Sequence, residues 1–362
     1  ISQKVYDALN DFIIICLSES NEPELFIKIL NYISSKNHIN ENQILINNNK
    51  TKKLPKAFDH VGLKNIGCIC YLNSILQQMY MIPSFRFAIM SVDDKKNENY
   101  QTSFFHNNVF DDNLLHQLQK MYTFLTYSEK QAYNPKDFCA SFKDFDGAPI
   151  NPLLQQDSQE FFNNLCDKIE NNLKDTKYKY IIENIITGKT CSSVTCERCN
   201  SISNRFEDFY NLTLEVKNIS NLYESLNKLI EPEKIELFQC DTCKDKVTIS
   251  KRTSLAKLPN VLFIHLKRFY MDYELGITEK INSKFEFPNN LNLKPFCTEE
   301  INKGIKNESD EIYFKEDEYY EYELKGINVH MGNAQGGHYM SFIDIERDGQ
   351  DNNIKSSIEN NR

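Results

Sequence analysis

The chain has 362 residues, enough for one large domain or two ordinary ones with well-buried cores, and its 40% hydrophobic and 26% charged residues are a globular balance. A net charge of -9 argues against a nucleic-acid partner, which would favour a basic patch, and suits a partner that presents a basic face. The most apolar early run, Phe12 to Leu17, is far short of the ~20 residues of a membrane span and lacks the flanks of a signal peptide, so no membrane partner is expected.

Residues 1 to about 50 read as helical. Val5, Ala8, Leu9, Phe12, Ile13 and Cys16 recur at helical spacing, and a second stripe runs through Phe26, Ile27, Leu30 and Ile33 after a start at Glu22-Pro23. The Asn/Lys-rich run from Asn47 to Lys53 reads as a linker, so residues 1–57 are taken as the tail of a preceding helical region; a helical hairpin packed on the next domain is the alternative. The chain does not begin with Met, which reads as a piece of something longer. From Phe58 the character changes. A helix is expected near Cys70, a polar surface excursion over residues 91–113, a helix from Leu114 to Leu125, and another through Phe161, Phe162, Leu165, Cys166 and Ile169. Beyond residue 190 the pattern is β: Phe206, Phe209, Leu212, Leu214 and Val216 include an alternating stretch, and Val261 to Leu266 suits a buried strand. The acidic, Tyr-rich segment from Glu299 to Tyr322 reads as a mobile insertion, its stretch 299–318 as solvated, with a regulatory role as the alternative. Tyr322 to His330 and His338 to Ile345 read as paired strands around a Gly-rich loop.

Three constellations carry chemistry. In Asn65-Ile66-Gly67-Cys68-Ile69-Cys70, Gly67 permits a tight turn, and Leu72, Ile75, Leu76, Met79 and Tyr80 then mark a buried amphipathic helix. Cys70 is thereby put at the helix N-terminus, where free amides and the dipole favour the negative sulfur of a nucleophile. Asn65, on the turn before it, could donate to an oxyanion. Taken alone, Cys70 reads more often as a buried structural cysteine than as a nucleophile. A cysteine nucleophile needs a histidine brought from elsewhere in the chain. His338 follows Gly336-Gly337 at a strand edge, with His330 as its rival; His265 lies in an apolar run, and His38, His60, His106 and His116 lie in polar loops or surface helices. Finally, Cys196-x-x-Cys199 and Cys240-x-x-Cys243 can close a tetrahedral zinc site. Four thiolates leave no open position, so the zinc would be structural; Cys191 is the spare. Eleven cysteines, an odd number, with no secretion signal point to a reducing compartment, cytoplasmic or nuclear. The stretch Gln155-Gln156-Asp157-Ser158-Gln159-Glu160 reads by itself as a helix start, with Asp157 as cap and Glu160 reaching back.

Together these stretches resemble the ubiquitin-specific protease family of deubiquitinases. The signatures are Gly62 to Gln78, Gln155 to Phe161, Leu266-Lys267-Arg268-Phe269 and Gly336-Gly337-His338-Tyr339, and the two Cys-x-x-Cys pairs fall where the family's fingers lie. Gln77 to Pro83 is most similar to the very large, fat-facets-like members. The resemblance implies an α+β, papain-like cysteine peptidase with thumb, palm and zinc-bearing β fingers, the fingers at about 190–260 and the catalytic domain over 58–362. It implies Cys70 as nucleophile, His338 as base and Asn65 as oxyanion donor. The partners implied are ubiquitin and ubiquitinated proteins, with the ubiquitin tail passing between thumb and palm beside the loop Met331 to Gly337. The expected reaction is hydrolysis of the isopeptide bond after ubiquitin's last glycine.

The sequence also departs from the family. Ile69 stands where Thr is usual and Cys68 where Asn or Ala is usual; Cys68 would be an oxidation partner close to Cys70. The family's third triad residue lies in a Trp-Tyr motif after the His strand, and this chain has no Trp. Asp344, six residues from His338 along one strand, would lie about 20 Å away at ~3.3 Å per residue, and Asp348 and Asp351 fall in the following polar turn. A chain truncated at its C-terminus, or a long insertion before the motif, is therefore expected. A ubiquitin-binding module without activity, and the same fold acting on a ubiquitin-like modifier, are the competing readings.

Overall fold

The structure, a computed structural model, describes residues 60–92, 113–128, 130–144, 146–272, 276–302 and 315–344. The helical stripes expected over residues 1–57, most of the excursion at 91–113, and Asp348 and Asp351 lie outside the described residues. The chain divides into two compact units, one formed by residues 1–158, 171–179 and 345–362, the other by 159–170 and 180–344. No helix among the described residues is long and apolar enough to cross a membrane.

In the first unit, β1 (Gly62–Leu63) leads into α1 (Cys70–Tyr80), α2 (Pro83–Met90), α3 (Leu114–Tyr127), β2 (Ala132–Tyr133) and α4 (Lys136–Ser141). The spacing of Leu72, Ile75, Leu76 and Met79 places them on one face of α1, and all four are buried. Rings lock the helices together: Tyr122 of α3 stands edge-on to Tyr80 at 5.3 Å and to Phe85 at 6.3 Å. A buried glutamine finishes α2, because Gln119 Nε2 donates to the carbonyls of Ile89 and Val92 at 2.9 and 2.8 Å. β1 and β2 pair in parallel.

Helix α5 (Ser158–Leu173) begins at the residue after Asp157, where a helix start is expected. In the second unit its Phe162 packs on Phe263 at 4.3 Å. After α6 (Ile181–Ile185) come β3 (Gly188–Cys196), β4 (Ile202–Phe209) and β5 (Asn211–Glu215), α7 (Leu222–Ile230), then β6 (Glu233–Gln239) and β7 (Lys246–Lys257). The long strands form an antiparallel sheet in the order β4-β3-β7-β6. It is built from strands between residues 188 and 257.

β5 alternates as predicted, with Leu212 and Leu214 buried, but Phe206 belongs to the separate strand β4 and is exposed. β5 pairs in parallel with β8 (Phe263–Lys267), which is half-buried rather than buried. The chain continues through the hairpin of β9 (Phe269–Asp272) and β10 (Ile277–Lys280), then β11 (Asn290–Asn292), α8 (Thr298–Ile301) and β12 (Glu321–Glu323). Leu212, Leu214, Leu226, Leu255, Leu293, Phe296 and Tyr320 share the core of this unit.

The segment from Glu299 to Tyr322 is therefore not wholly an insertion apart from the core. Residues 303–314 lie outside the described residues, but Tyr320 is fully buried and its hydroxyl donates to Glu299 at 2.8 Å. One apolar ring in an acidic stretch is enough to anchor its end. Tyr322 likewise sits in β12, paired with β11, and not in the strand that ends near His330. That strand is β13 (Gly326–Asn333), and it forms a hairpin with β14 (Gly336–Ile343).

Candidate active site

Cys70 is the first residue of α1 and is buried. Ile69 in the cap position has no side-chain acceptor to offer, and the first turn contains no acidic residue. The positive end of the helix dipole is thus left for an anion at this point. The preceding turn is held from both sides. Cys68 N donates to Pro152 O at 2.6 Å, and a Cβ on Gly67 would lie 2.2 Å from that same oxygen, so only glycine admits the contact. From the helix, Asn73 Nδ2 donates to Lys64 O and Gln77 Nε2 to Val61 O, each at 3.2 Å. Asn65 is exposed on this turn; its Oδ1 accepts from Gly67 N at 3.4 Å, which leaves its amino group as a donor.

Three residues near Cys70 had no role assigned from sequence. Asn73 and Gln77 stand four apart on α1, a spacing that puts both on one edge of the helix. Gln155, which belongs to a helix start and to a family signature, brings its Nε2 to 3.9 Å from Cys70 Sγ. Cys68, by contrast, is exposed.

His338 lies in the second unit, on β14, opposite Met331 of β13, and is exposed. The expected loop at Met331 to Gly337 is a tight hairpin. Asn333 Oδ1 accepts from the amides of Gln335 and Gly336 at 3.0 and 3.1 Å and closes the turn. The glycines are needed for close approach: a Cβ on Gly337 would meet Met331 O at 2.2 Å and His330 Nε2 at 2.3 Å. The rival His330 is packed between Phe269, at 5.2 Å, and Tyr339, at 4.7 Å. Among the described residues no side chain hydrogen-bonds the His338 imidazole. Asp344 instead accepts from Lys325 Nζ at 3.1 Å.

The four expected metal ligands do come together. All four sulfurs of Cys196, Cys199, Cys240 and Cys243 lie within 4.8 Å of one another. Cys196 and Cys243 are 3.8 Å apart, and Cys199 and Cys240 3.9 Å. A tetrahedral zinc with Zn–S bonds of about 2.3 Å requires sulfurs about 3.8 Å apart, so the donor set fits the ion.

The two halves are built alike, at the β3–β4 and β6–β7 turns. Asn200 N donates to Cys196 O at 2.9 Å and Lys244 N to Cys240 O at 2.8 Å, and Asn200 and Lys244 both take positive φ, 57° and 58°. The Ser201 hydroxyl draws the Cys199 thiol down to about 6, while hydrogen bonding with Cys199 pushes Cys243 up to about 12. Cys191 stays apart from this cluster, fully buried on β3.

A family profile described as ubiquitin carboxyl-terminal hydrolase matches residues 61–356. The chain belongs to that family. Its members are cysteine-type deubiquitinating enzymes, and the α+β fold expected from the sequence is that of their catalytic domain.

Ubiquitin carboxyl-terminal hydrolase 34 of Homo sapiens is 35% identical over 292 residues, 78% of this chain and 8% of that protein. Human ubiquitin carboxyl-terminal hydrolase 9Y is 33% identical over 343 residues, 82% of this chain and 13% of that protein. The probable hydrolase FAF of Drosophila melanogaster is 32% identical over 324 residues, 78% of this chain and 12% of that protein, which bears out the fat-facets-like resemblance. The chain thus spans only a small part of the length of these relatives. Among solved structures, the Ubp8/Sgf11/Sus1/Sgf73 DUB module bound to ubiquitin aldehyde superposes with a TM-score of 0.60 at 26% identity, over 79% of this chain and 62% of that one.

Proposed function

We propose that this chain is the catalytic domain of a deubiquitinase, running from about residue 58, that hydrolyses the isopeptide bond after the C-terminal glycine of ubiquitin. The observation that carries the reading is the buried Cys70 at the uncapped N-terminus of α1, in a chain that matches the family over residues 61–356. The sulfur of Cys70 attacks the carbonyl carbon, and the Asn65 amide together with backbone amides holds the resulting oxyanion. Protonated His338 gives its proton to the leaving lysine amine. Water deprotonated by His338 then opens the thioester, releases ubiquitin and returns the sulfur. Ubiquitin and ubiquitinated proteins are the partners that go with this chemistry.

The four cysteines hold a structural zinc in the same reading, supported by their sulfur spacing. When bound, the ion joins the tips of two hairpins. A reducing compartment, cytoplasmic or nuclear, goes with it, because the thiols must stay reduced to serve as ligands.

Intact-mass analysis after mixing the chain with ubiquitin that bears a C-terminal electrophile tests the proposal. One ubiquitin adduct is expected, absent in Cys70→Ala. An adduct that survives in Cys70→Ala, or none in the parent chain, counts against it.

A further inference from the structure

The hairpin that carries His338 is gripped by a neighbouring hairpin around His330. Lys280 and Phe269 are directly opposite one another at the end of the β9–β10 ladder, so their side chains share a face. Both reach His330. Phe269 stands edge-on to the His330 ring at 5.2 Å. Lys280 Nζ donates to the His330 carbonyl at 2.9 Å and to the Gly332 carbonyl at 3.1 Å. From there the contact passes to the turn before His338: the His330 ring leans on Tyr339 at 4.7 Å, and Gly337 lacks a Cβ where His330 Nε2 approaches. A weaker tie runs beside it, from Gln335 Nε2 to Thr278 O at 3.3 Å.

We infer that Lys280 is a positioning residue for His338, holding the β13–β14 hairpin at the height the imidazole needs; this rests on the reading of His338 as the base. An ammonium shared by two carbonyls two residues apart fixes the end of β13 in translation and in twist. The Phe269 ring packs against the same residue from the side. Burial, and then the nearby Arg268 guanidinium, lower the Lys280 pKa, as fits an ammonium that has exchanged water for those carbonyls. Positioning matters here because a misplacement of ~1 Å at a catalytic group costs up to about 100-fold in rate.

The test follows capture of Cys70 by ubiquitin with a C-terminal electrophile and separates the maximal rate constant from the half-saturating concentration. Lys280→Met is expected to lower the maximal rate about tenfold and to shift half-saturation less than about twofold, with Lys280→Arg recovering most of the loss. An unchanged maximal rate in Lys280→Met, or a loss confined to half-saturation, overturns the inference. Should Lys280→Met fail to fold by circular dichroism, Gln335→Ala decides, since that side chain is exposed. A fall of about two- to fivefold in its maximal rate, without loss of melting temperature, supports the grip, and no fall refutes it. Absence of any adduct in the parent chain strikes the proposed function instead, so the two failures are distinguishable.

Discussion

Asn65 spends its carbonyl on the Gly67 amide, and its amino group is then the donor left on the turn before Cys70. Asn65→Ala should slow hydrolysis of a ubiquitin C-terminal reporter by about 100- to 1,000-fold, as loss of one oxyanion donor does, while equilibrium binding of ubiquitin changes little. Steady-state kinetics beside a binding titration check this. Gly67 makes a different kind of demand. A methyl group there would collide with Pro152 O at 2.2 Å and push apart the turn and the loop that carries Gln155. Gly67→Ala should cost about 1–3 kcal/mol in a urea titration, in the range of other overpacked sites. The need for glycine at this turn was readable from sequence. Its partner, 85 residues from Gly67, was not, and neither was the approach of Gln155 to Cys70 across the same separation.

Helix α7 shows what local pattern can and cannot tell. Asn221 Oδ1 accepts from Glu224 N at 3.0 Å, and the Glu224 carboxylate accepts from Ser220 N at 2.9 Å, a reciprocal cap. The Asn-x-x-Glu signal lies in plain view, but strand-like patterns on both sides mask it. Asn221→Ala should lower stability by about 1 kcal/mol. Leu226→Ala, at a fully buried position in the core, should lower it by about 2–5 kcal/mol. Chemical denaturation of both variants separates the cap from the core. Strands were legible where they alternate, as at Leu212 and Leu214. Phe206 reads as one of them because a run of aromatics looks the same on one strand or on two.

On the scale of the whole molecule, the four cysteines join two β-turns that are 44 positions apart in sequence, counted from Cys196 to Cys240. The salt bridge from Arg198 to Asp245 at 2.8 Å crosses the same gap but is exposed, so it adds little. A chelator should therefore lower the melting temperature of the chain, and metal analysis should return about one zinc per chain, falling well below that in Cys199→Ser. A chain that melts alike with and without chelator would show that the hairpins stand without the ion.

Periodicity and close spacing are local properties, so the sequence alone determined helix α1 with Cys70 at its head, the alternation of β5, the glycines before His338 and the two Cys-x-x-Cys pairs. What only the tertiary structure decided are contacts between segments with no shared local pattern. Among these are the parallel pairing of β5 with β8, Tyr320 as an anchor inside an acidic stretch, and the Lys280 ammonium on the carbonyls of His330 and Gly332. Backbone carbonyls look alike at every position in a sequence. Which of them a lysine ammonium satisfies is settled only when the chain has folded and brought one strand end beside another.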